Sequence, residues 1–175
     1  SYDTAYSIPT GDLDGNSFSG IYVTPDESAV FIAETTSDRI YKFDLLTPGD
    51  LSTMSYSSQY NTALPDPVGI SFKSNGLTMF TSHTSGIEEL YQYTLTNPWS
   101  FSSVRNDGNQ TLPEDRQGWG IDISNNDTDL YQAIEDPNQR VINWDIDPYL
   151  IPLAYQDTNI KNITTTGANS FRNGE

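Results

Sequence analysis

The 175-residue sequence predicts an all-β fold made of about three consecutive four-stranded repeats. A Gly-Ile step begins a short apolar segment at Gly20, Gly69 and Gly120, which are 49 and 51 residues apart. Each segment is followed by a turn rich in Pro, Asn, Asp or Gly, the residues that favour tight turns. No segment repeats its apolar residues with a helical period. Short strands joined by turns are therefore expected.

Each repeat contains four predicted strands in the same order. First strands are expected over 20–23, 69–72 and 120–123, and second strands over 29–32, 77–80 and 129–131. Third strands are expected over 40–45, 90–95 and 141–146, where apolar and polar residues alternate so that Tyr41, Phe43 and Leu45 share one face. Fourth strands are expected over 54–60, 101–105 and 152–158.

Four short strands in every ~50 residues are typical of the blades of a β-propeller. An isolated blade exposes both sheet faces, so neighbouring blades must supply its core. The predicted division is 1–16 (last strand of a preceding blade and a loop), 17–64, 65–113, 114–168, and 169–175 (start of a further repeat). Because propellers close with about 4 to 8 blades, we expect an open fragment, part of a larger or tandem propeller, or copies that complete one another.

Composition excludes several classes of function. The chain has 8 Lys and Arg against 24 Asp and Glu, a formal charge of -16, which repels phosphate backbones and anionic membrane surfaces. No apolar segment approaches the ~18 residues of a membrane span. There is no cysteine, so disulfides, zinc–thiolate sites and thiol catalysis are excluded. We therefore expect neither a nucleic-acid partner nor membrane insertion.

The second repeat carries the most recognisable pattern. It runs Gly69-Ile70-Ser71-Phe72, then Leu90-Tyr91-Gln92-Tyr93-Thr94-Leu95, then Pro98-Trp99. This pattern resembles a propeller-type repeat of phage structural proteins and of bacterial or marine surface proteins. The first repeat departs from it at Gly49, where Trp is expected, and the third has Asp147-Pro148-Tyr149 at that step.

The resemblance implies a non-enzymatic structural or adhesive module of an extracellular fibre or of a virion surface or tail. Its partners would be other copies of itself or neighbouring repeats of a longer chain, with a glycan as a further candidate. The alternative is a propeller module that binds a carbohydrate or protein receptor. A lactonase-type propeller enzyme ranks third, because no set of converging carboxylates or metal ligands recurs along the sequence.

No catalytic residue is predicted. His83 is the only histidine, and without a Gly-x-Ser-x-Gly motif to supply a nucleophile we expect an ordinary polar histidine in a loop. Asp12, Asp14 and Asn16 resemble the start of a calcium-binding loop, although Gly15 is misplaced and Val23 stands where a glutamate ligand is expected. An ordinary Asp/Gly loop is the alternative, and apart from this Ca²⁺ no cofactor is expected.

Two further sets of residues are candidates for modification or binding. Asn109, Asn126 and Asn162 begin Asn-x-Ser/Thr sequons in predicted loops, where they could be glycosylated. Trp119, between Gly118 and Gly120, is the candidate for ligand contact. Trp99 belongs to the recurring Pro-Trp step, so we expect it to pack between blades.

Overall fold

The computed structural model describes residues 6–8, 17–62, 65–84, 89–111, 117–135, 140–146, 161–165 and 171–173. Their strands are β1 Phe18–Val23, β2 Ala29–Glu34, β3 Arg39–Leu45, β4 Met54–Asn61, β5 Pro67–Phe72, β6 Thr78–His83, β7 Glu89–Leu95, β8 Val104–Thr111, β9 Gln117–Ile123, β10 Asp129–Glu135, β11 Arg140–Asp145, β12 Lys161–Thr165 and β13 Phe171–Asn173. The only helical element in these ranges is a 3₁₀ turn, Leu51–Thr53. The all-β prediction is confirmed, and none of these residues belongs to a helix able to cross a bilayer.

The strands form three antiparallel sheets in chain order: β1 to β4, β5 to β8, and β9 to β13. The four-stranded composition predicted for the first two repeats is confirmed. In the third sheet β12 pairs with β11, and β13 then pairs with β12, so Phe171–Asn173 extends this sheet. The segments 1–5 and 152–158, where further strands were predicted, lie outside the described residues.

The same turn joins the first two strands of every sheet. The backbone N–H of Thr24, Lys73 or Ser124 donates to the carbonyl five residues later, at 3.0, 3.0 and 2.8 Å. Three residues after the donor the chain takes a positive φ, at Glu27 (57°), Gly76 (68°) and Asp127 (60°). The conformation recurs even where glycine is absent, which confirms the predicted turns.

The three sheets stack through their first strands and share two cores. We call the face turned toward the next sheet in the chain the forward face, and the opposite one the rear face. The forward face of the first sheet, with Phe31 and Ile40, packs on the rear face of the second, with Phe72 and Tyr93. The forward face of the second sheet similarly packs on the rear face of the third.

Close approach of the first strands depends on glycine. A Cβ atom at Gly20 would lie 2.7 Å from the carbonyl oxygen of Val68, and one at Gly69 would lie 2.8 Å from that of Trp119. Both distances are far below van der Waals contact, so a side chain at either position would force the sheets apart. This explains the Gly-Ile step with which each repeat begins.

The tryptophan of the Pro-Trp step packs as predicted. Trp99 is half-buried against the core between the first two sheets, and its ring lies over Gly76. Trp99 itself has φ 51°, and Gly49 has φ 76° at the corresponding position of the first repeat. The glycine that replaces Trp there adopts the same left-handed turn without strain.

Candidate functional site

Buried and half-buried polar side chains concentrate at one end of the junction between the first and second sheets, where β2 and β6 end and β3 and β7 begin. We call this group the polar junction; its members are Asp38, Asp66, Thr81, His83 and Glu89. Thr81 and His83 are at most 1% exposed, and Glu34, on the rear face at the same end of β2, is 0% exposed. A buried polar group is stable only when it is hydrogen-bonded, so the partners of each residue show what the group can do.

Glu34 organises the loop between β2 and β3. Its carboxylate accepts hydrogen bonds from the backbone N–H groups of Ser17 (3.0 Å), Thr36 (2.9 Å) and Ser37 (2.6 Å), and from the Ser37 hydroxyl. Burial opposes ionisation of this carboxyl, but the hydrogen bonds outweigh it and hold its pKa below the usual 4.5. With these lone pairs engaged, Glu34 is a structural carboxylate.

Asp38 and Asp66 bring two carboxylates to the junction. Asp38 Oδ1 accepts a hydrogen bond from the backbone N–H of Asp66 at 2.9 Å, which ties the β2–β3 loop to the segment before β5. Both residues take a positive φ, 59° and 57°, a conformation that Asp tolerates better than most residues. The two acidic side chains therefore come from loops held in fixed positions.

His83 is the last residue of β6 and is 1% exposed. The expectation of an ordinary loop histidine is therefore wrong. Its Nδ1 lies 3.0 Å from the carbonyl oxygen of Pro65, which can only accept, so Nδ1 carries the proton. Its Nε2 then accepts from the Thr81 hydroxyl at 2.8 Å. Its ring meets Tyr91 edge-on, with centroids 5.2 Å apart.

The imidazole of His83 is kept neutral by its surroundings. Burial lowers its pKa below the ordinary 6.5, and the Pro65 hydrogen bond and the carboxylates of Glu89, Asp38 and Asp66 reverse only part of this effect. A neutral imidazole held in one tautomer fixes the orientation of its neighbours. Because both ring nitrogens are engaged, His83 can support a reacting group without itself meeting a substrate.

Glu89 is the carboxylate of the polar junction best placed to react. It lies opposite His83 in the pairing of β6 with β7 and is only half-buried. One carboxylate oxygen accepts from the Tyr91 hydroxyl at 2.5 Å and the other from the Asn109 amide at 2.7 Å. Burial and the adjacent Glu89 raise the pKa of Tyr91, so its hydroxyl stays a donor. Each carboxylate oxygen retains a lone pair that could accept a proton.

The other predicted candidates lie apart from this group. Trp119 is 44% exposed on β9, and its indole N–H donates to Glu135 at 2.9 Å. Asn126 lies in the β9–β10 turn, whereas Asn109 lies in β8 and Asn162 in β12, so the prediction of loops is wrong for these two. Asp12, Asp14 and Asn16 fall outside the described residues. Within the described ranges, no three acidic or histidine side chains form a metal-binding group.

A small pocket opens at the opposite end of the sheets. It has a volume of about 170 Å³ and is lined by residues of all three sheets, including Tyr22, Ser71 and Asp122. Ligand pockets usually enclose about 300–1,000 Å³. Asp127, on its rim, is already held by the backbone N–H of Ser74 at 2.9 Å. The polar junction is therefore the better candidate for chemistry.

No protein-family model and no curated protein matches the sequence. Solved structures do match its fold. A Bacteroides uniformis protein provisionally described as a 6-phosphogluconolactonase matches 78% of the chain at 17% identity with a TM-score of 0.58. A protein of unknown function from Desulfotomaculum acetoxidans matches 85% of the chain at 13% identity, with a TM-score of 0.58. The periplasmic gluconolactonase of Pseudomonas aeruginosa matches 75% of the chain at 14% identity, with a TM-score of 0.51. The matched region spans 39%, 42% and 38% of these chains.

These matches contradict two predictions from the sequence. The chain was expected to be a non-enzymatic structural or adhesive module of a fibre or virion, with receptor binding as the alternative, but two structures with its fold are described as lactonases. The expectation that it is not an enzyme is overturned by the same finding. The motifs that favoured a non-enzymatic role each lie within one repeat. In the structure, Glu89 and His83 are combined with Asp38 and Asp66 across two repeats, which no local motif reveals.

Proposed function

We propose that the chain is a section of a propeller-type lactonase, an enzyme that hydrolyses the cyclic ester of a sugar acid. The observation that carries the proposal is the oriented, half-buried carboxylate of Glu89 at the polar junction of a fold shared with proteins described as lactonases. Fold alone does not determine activity. The proposed activity therefore also rests on the chemistry of the polar junction.

Hydrolysis of a lactone needs a base that activates water. In the proposed reaction Glu89 accepts a proton from a water molecule as the water oxygen attacks the lactone carbonyl carbon. The bond between that carbon and the ring oxygen then breaks, and the ring oxygen takes up the proton to become the free hydroxyl of the hydroxy acid. Water and lactone are thus converted to one hydroxy acid with no other reactant. A positioned base of this kind contributes about 10²–10⁴-fold to a rate.

The remaining polar residues position this base. Tyr91 and Asn109 fix the plane of the Glu89 carboxylate, and His83 packs its ring edge against Tyr91. Hydrogen bonds to Pro65 and Thr81 hold His83 in turn. Rigid support of this kind keeps a base within reach of the water that it activates.

Charge indicates which lactone the site prefers. The chain carries a formal charge of -16. The carboxylates of Asp38, Asp66 and Glu89 lie close enough to His83 to affect its pKa, so negative charge is concentrated at the polar junction. A phosphorylated lactone would be repelled by this field, whereas the hydroxyl groups of an uncharged one can donate to carboxylates. We therefore expect an uncharged sugar lactone to be the better substrate.

The proposal places the three sheets as consecutive blades around a propeller axis. Their first strands lie together in the stack, as the inner strands of a propeller do. Because the matched region spans about two fifths of each solved structure, further blades are needed to complete a ring of that size. A complete substrate pocket would therefore include residues from blades beyond these three.

The test is hydrolysis of glucono-δ-lactone and of its 6-phospho derivative by the full chain, followed by proton release and corrected for the uncatalysed reaction. We expect turnover of the uncharged lactone, reduced about 10²-fold or more by Glu89→Gln. Glu27→Gln makes the same change at an exposed turn at the opposite end and should leave the rate unchanged. Turnover of neither lactone, or full activity in Glu89→Gln, would contradict the proposal.

A further inference from the structure

The forward face of the third sheet is not covered by any described residue. In strand register, Phe31, Phe80 and Tyr131 occupy equivalent positions on β2, β6 and β10, opposite Tyr22, Ser71 and Asp122. Phe31 and Phe80 are 0% exposed, whereas Tyr131 is 44% exposed. Ala133 is also exposed, although the equivalent Ala33 and Ser82 are buried. The third sheet thus presents the pattern used inside the stack, without a neighbour.

The glycine of the first strand also lacks a neighbouring strand in the third sheet. Gly20 faces the carbonyl of Val68, and Gly69 faces that of Trp119, in each case the residue just before the glycine of the next repeat. Gly120, the third member of the series, has no atom within 4 Å of its Cβ direction. It leaves room for the carbonyl of a further first strand.

The rear face of β1 offers the complementary surface. The rear face of β2 and β3 is already buried, since Ile8 packs against a cluster that is at most 7% exposed, made of Val30, Ile32, Tyr41, Phe43 and Leu45. The surface left open on the rear side of the first sheet is therefore that of β1. Phe18, Ile21 and Val23 are 42%, 67% and 46% exposed, the main apolar exposure of the first sheet. Their counterparts Ile70 and Phe72 on β5 are 3% exposed, because they pack against the first sheet. An apolar edge of this kind is normally covered in a soluble protein.

We propose that the forward face of the third sheet binds the rear face of β1 of a second copy of this chain, head to tail. By the equivalences above, Tyr131 packs on the partner's Val23 as Phe31 packs on Phe72, whose ring centroids are 4.7 Å apart. Gly120 receives the carbonyl of the partner's Ser19. A second copy is favoured as the partner because its β1 carries apolar residues at the same positions as β5 and β9. Its β1 also carries the glycine of the Gly-Ile step.

The interface joins two different surfaces, so it can close a ring or continue as an open chain. Two copies bring together six sheets of described residues, a number within the range of about 4 to 8 blades in which propellers close. We therefore expect a closed pair of about 39 kDa, twice the 19.5 kDa of one chain. Each copy carries a formal charge of -16, so added salt should strengthen the pairing by screening repulsion.

A pair of single variants tests the head-to-tail geometry. Tyr131→Glu disables the forward face and leaves β1 intact, while Ile21→Glu disables β1 and leaves the forward face intact. Each variant alone should sediment as one chain. An equimolar mixture should recover the mass of two chains through one intact junction, formed by the forward face of Ile21→Glu and the β1 of Tyr131→Glu; the second junction carries both substitutions and stays open. Leu46→Glu is the matched control: Leu46 is 88% exposed in the loop after β3 and belongs to neither β1 nor the third sheet, so the variant should pair like the wild type.

Two results would overturn the proposal. One is a wild-type chain that remains a single-chain species at about 100 µM in about 1 M salt, where screening is nearly complete. The other is a mixture of the two variants that stays at the mass of one chain while both variants retain wild-type circular dichroism.

Discussion

The second and third sheets are built from the same repeat, yet their second strands have different surroundings. Every residue of β6 after Thr78 is buried, whereas β10 alternates between buried and exposed residues from Leu130 onward. Among the described residues, the second sheet has a neighbour on both faces, and the third has one only on its rear face. Burial in this fold is therefore determined by the adjacent sheet as much as by the residue itself.

The largest expected effect is a contrast between equivalent aromatic residues. Phe80→Ala removes a ring from the closed core between the second and third sheets, and should lower the free energy of unfolding by about 3–5 kcal/mol. Tyr131→Ala changes a ring that is already 44% exposed and should cost less than about 1 kcal/mol in the single-chain species. Urea unfolding at low protein concentration measures both.

Leu130→Ala is the control for this contrast. Leu130 is 0% exposed on the rear face of β10, next to Tyr131, so its truncation should cost about 2–5 kcal/mol. A large loss at Leu130 with a small one at Tyr131 would show that the third sheet is well packed on one face only. Equal losses at Phe80 and Tyr131 would contradict the comparison.

Glycine substitutions sharpen the same comparison at the backbone. Gly69→Ala brings a methyl group 2.8 Å from the carbonyl of Trp119 and should destabilise the fold by about 1–3 kcal/mol. Gly120→Ala meets nothing within 4 Å and should change stability by less than about 0.5 kcal/mol. Thermal unfolding of the two variants measures both changes in stability. A clear loss at Gly120 would show that its face is already covered.

A smaller effect concerns pH and the polar junction. The native fold lowers the pKa of His83, so the unfolded chain binds a proton more readily. The contribution of His83 to the free energy of unfolding is therefore fully present above its unfolded pKa, near 6.5. It is lost as the pH falls from there through the lowered native pKa. His83→Gln should flatten this dependence between about pH 8 and about pH 5.5, a range above the carboxyl pKa values. Ile134 occupies the equivalent position of the third sheet, so no second titration arises there.

Urea unfolding across this range, with wild type and His83→Gln side by side, measures the slope. Glu34, whose native pKa is also lowered, affects stability only at more acidic pH and so does not interfere. An unchanged slope in His83→Gln would mean that another group is responsible.

Much of the fold could be predicted from the sequence, because its signals are local. Turn residues and two-residue alternation located most strands of the first two repeats, and the Gly-Ile step marked the strands that approach most closely. The predicted strand boundaries were wrong where contacts between residues far apart in the sequence determine them. Phe101 was placed in a strand, but it packs against Phe31 of another sheet, with centroids 5.5 Å apart, and β8 begins at Val104.

The candidate site was missed for the same reason. Extending the alternation of Met79 and Thr81 by two residues would have placed His83 on the rear face of β6, and the hairpin register would have placed Glu89 opposite it. The approach of Asp38 and Asp66 cannot be deduced in this way, since it depends on how the sheets stack. Because the polar junction combines residues of two repeats, no motif within one repeat indicates it.

Cross-linking tests the central claim, that the forward face of the third sheet is an unfilled copy of the junctions inside the stack. The chain has no cysteine, so Val23→Cys and Tyr131→Cys can be prepared as two singly labelled proteins, mixed, and treated with a short bis-maleimide. A mixed product joining residue 23 to residue 131, well above the amount of either homodimer, is the predicted outcome. Products in the statistical proportions of random collision, or a dominant homodimer, would contradict the claim.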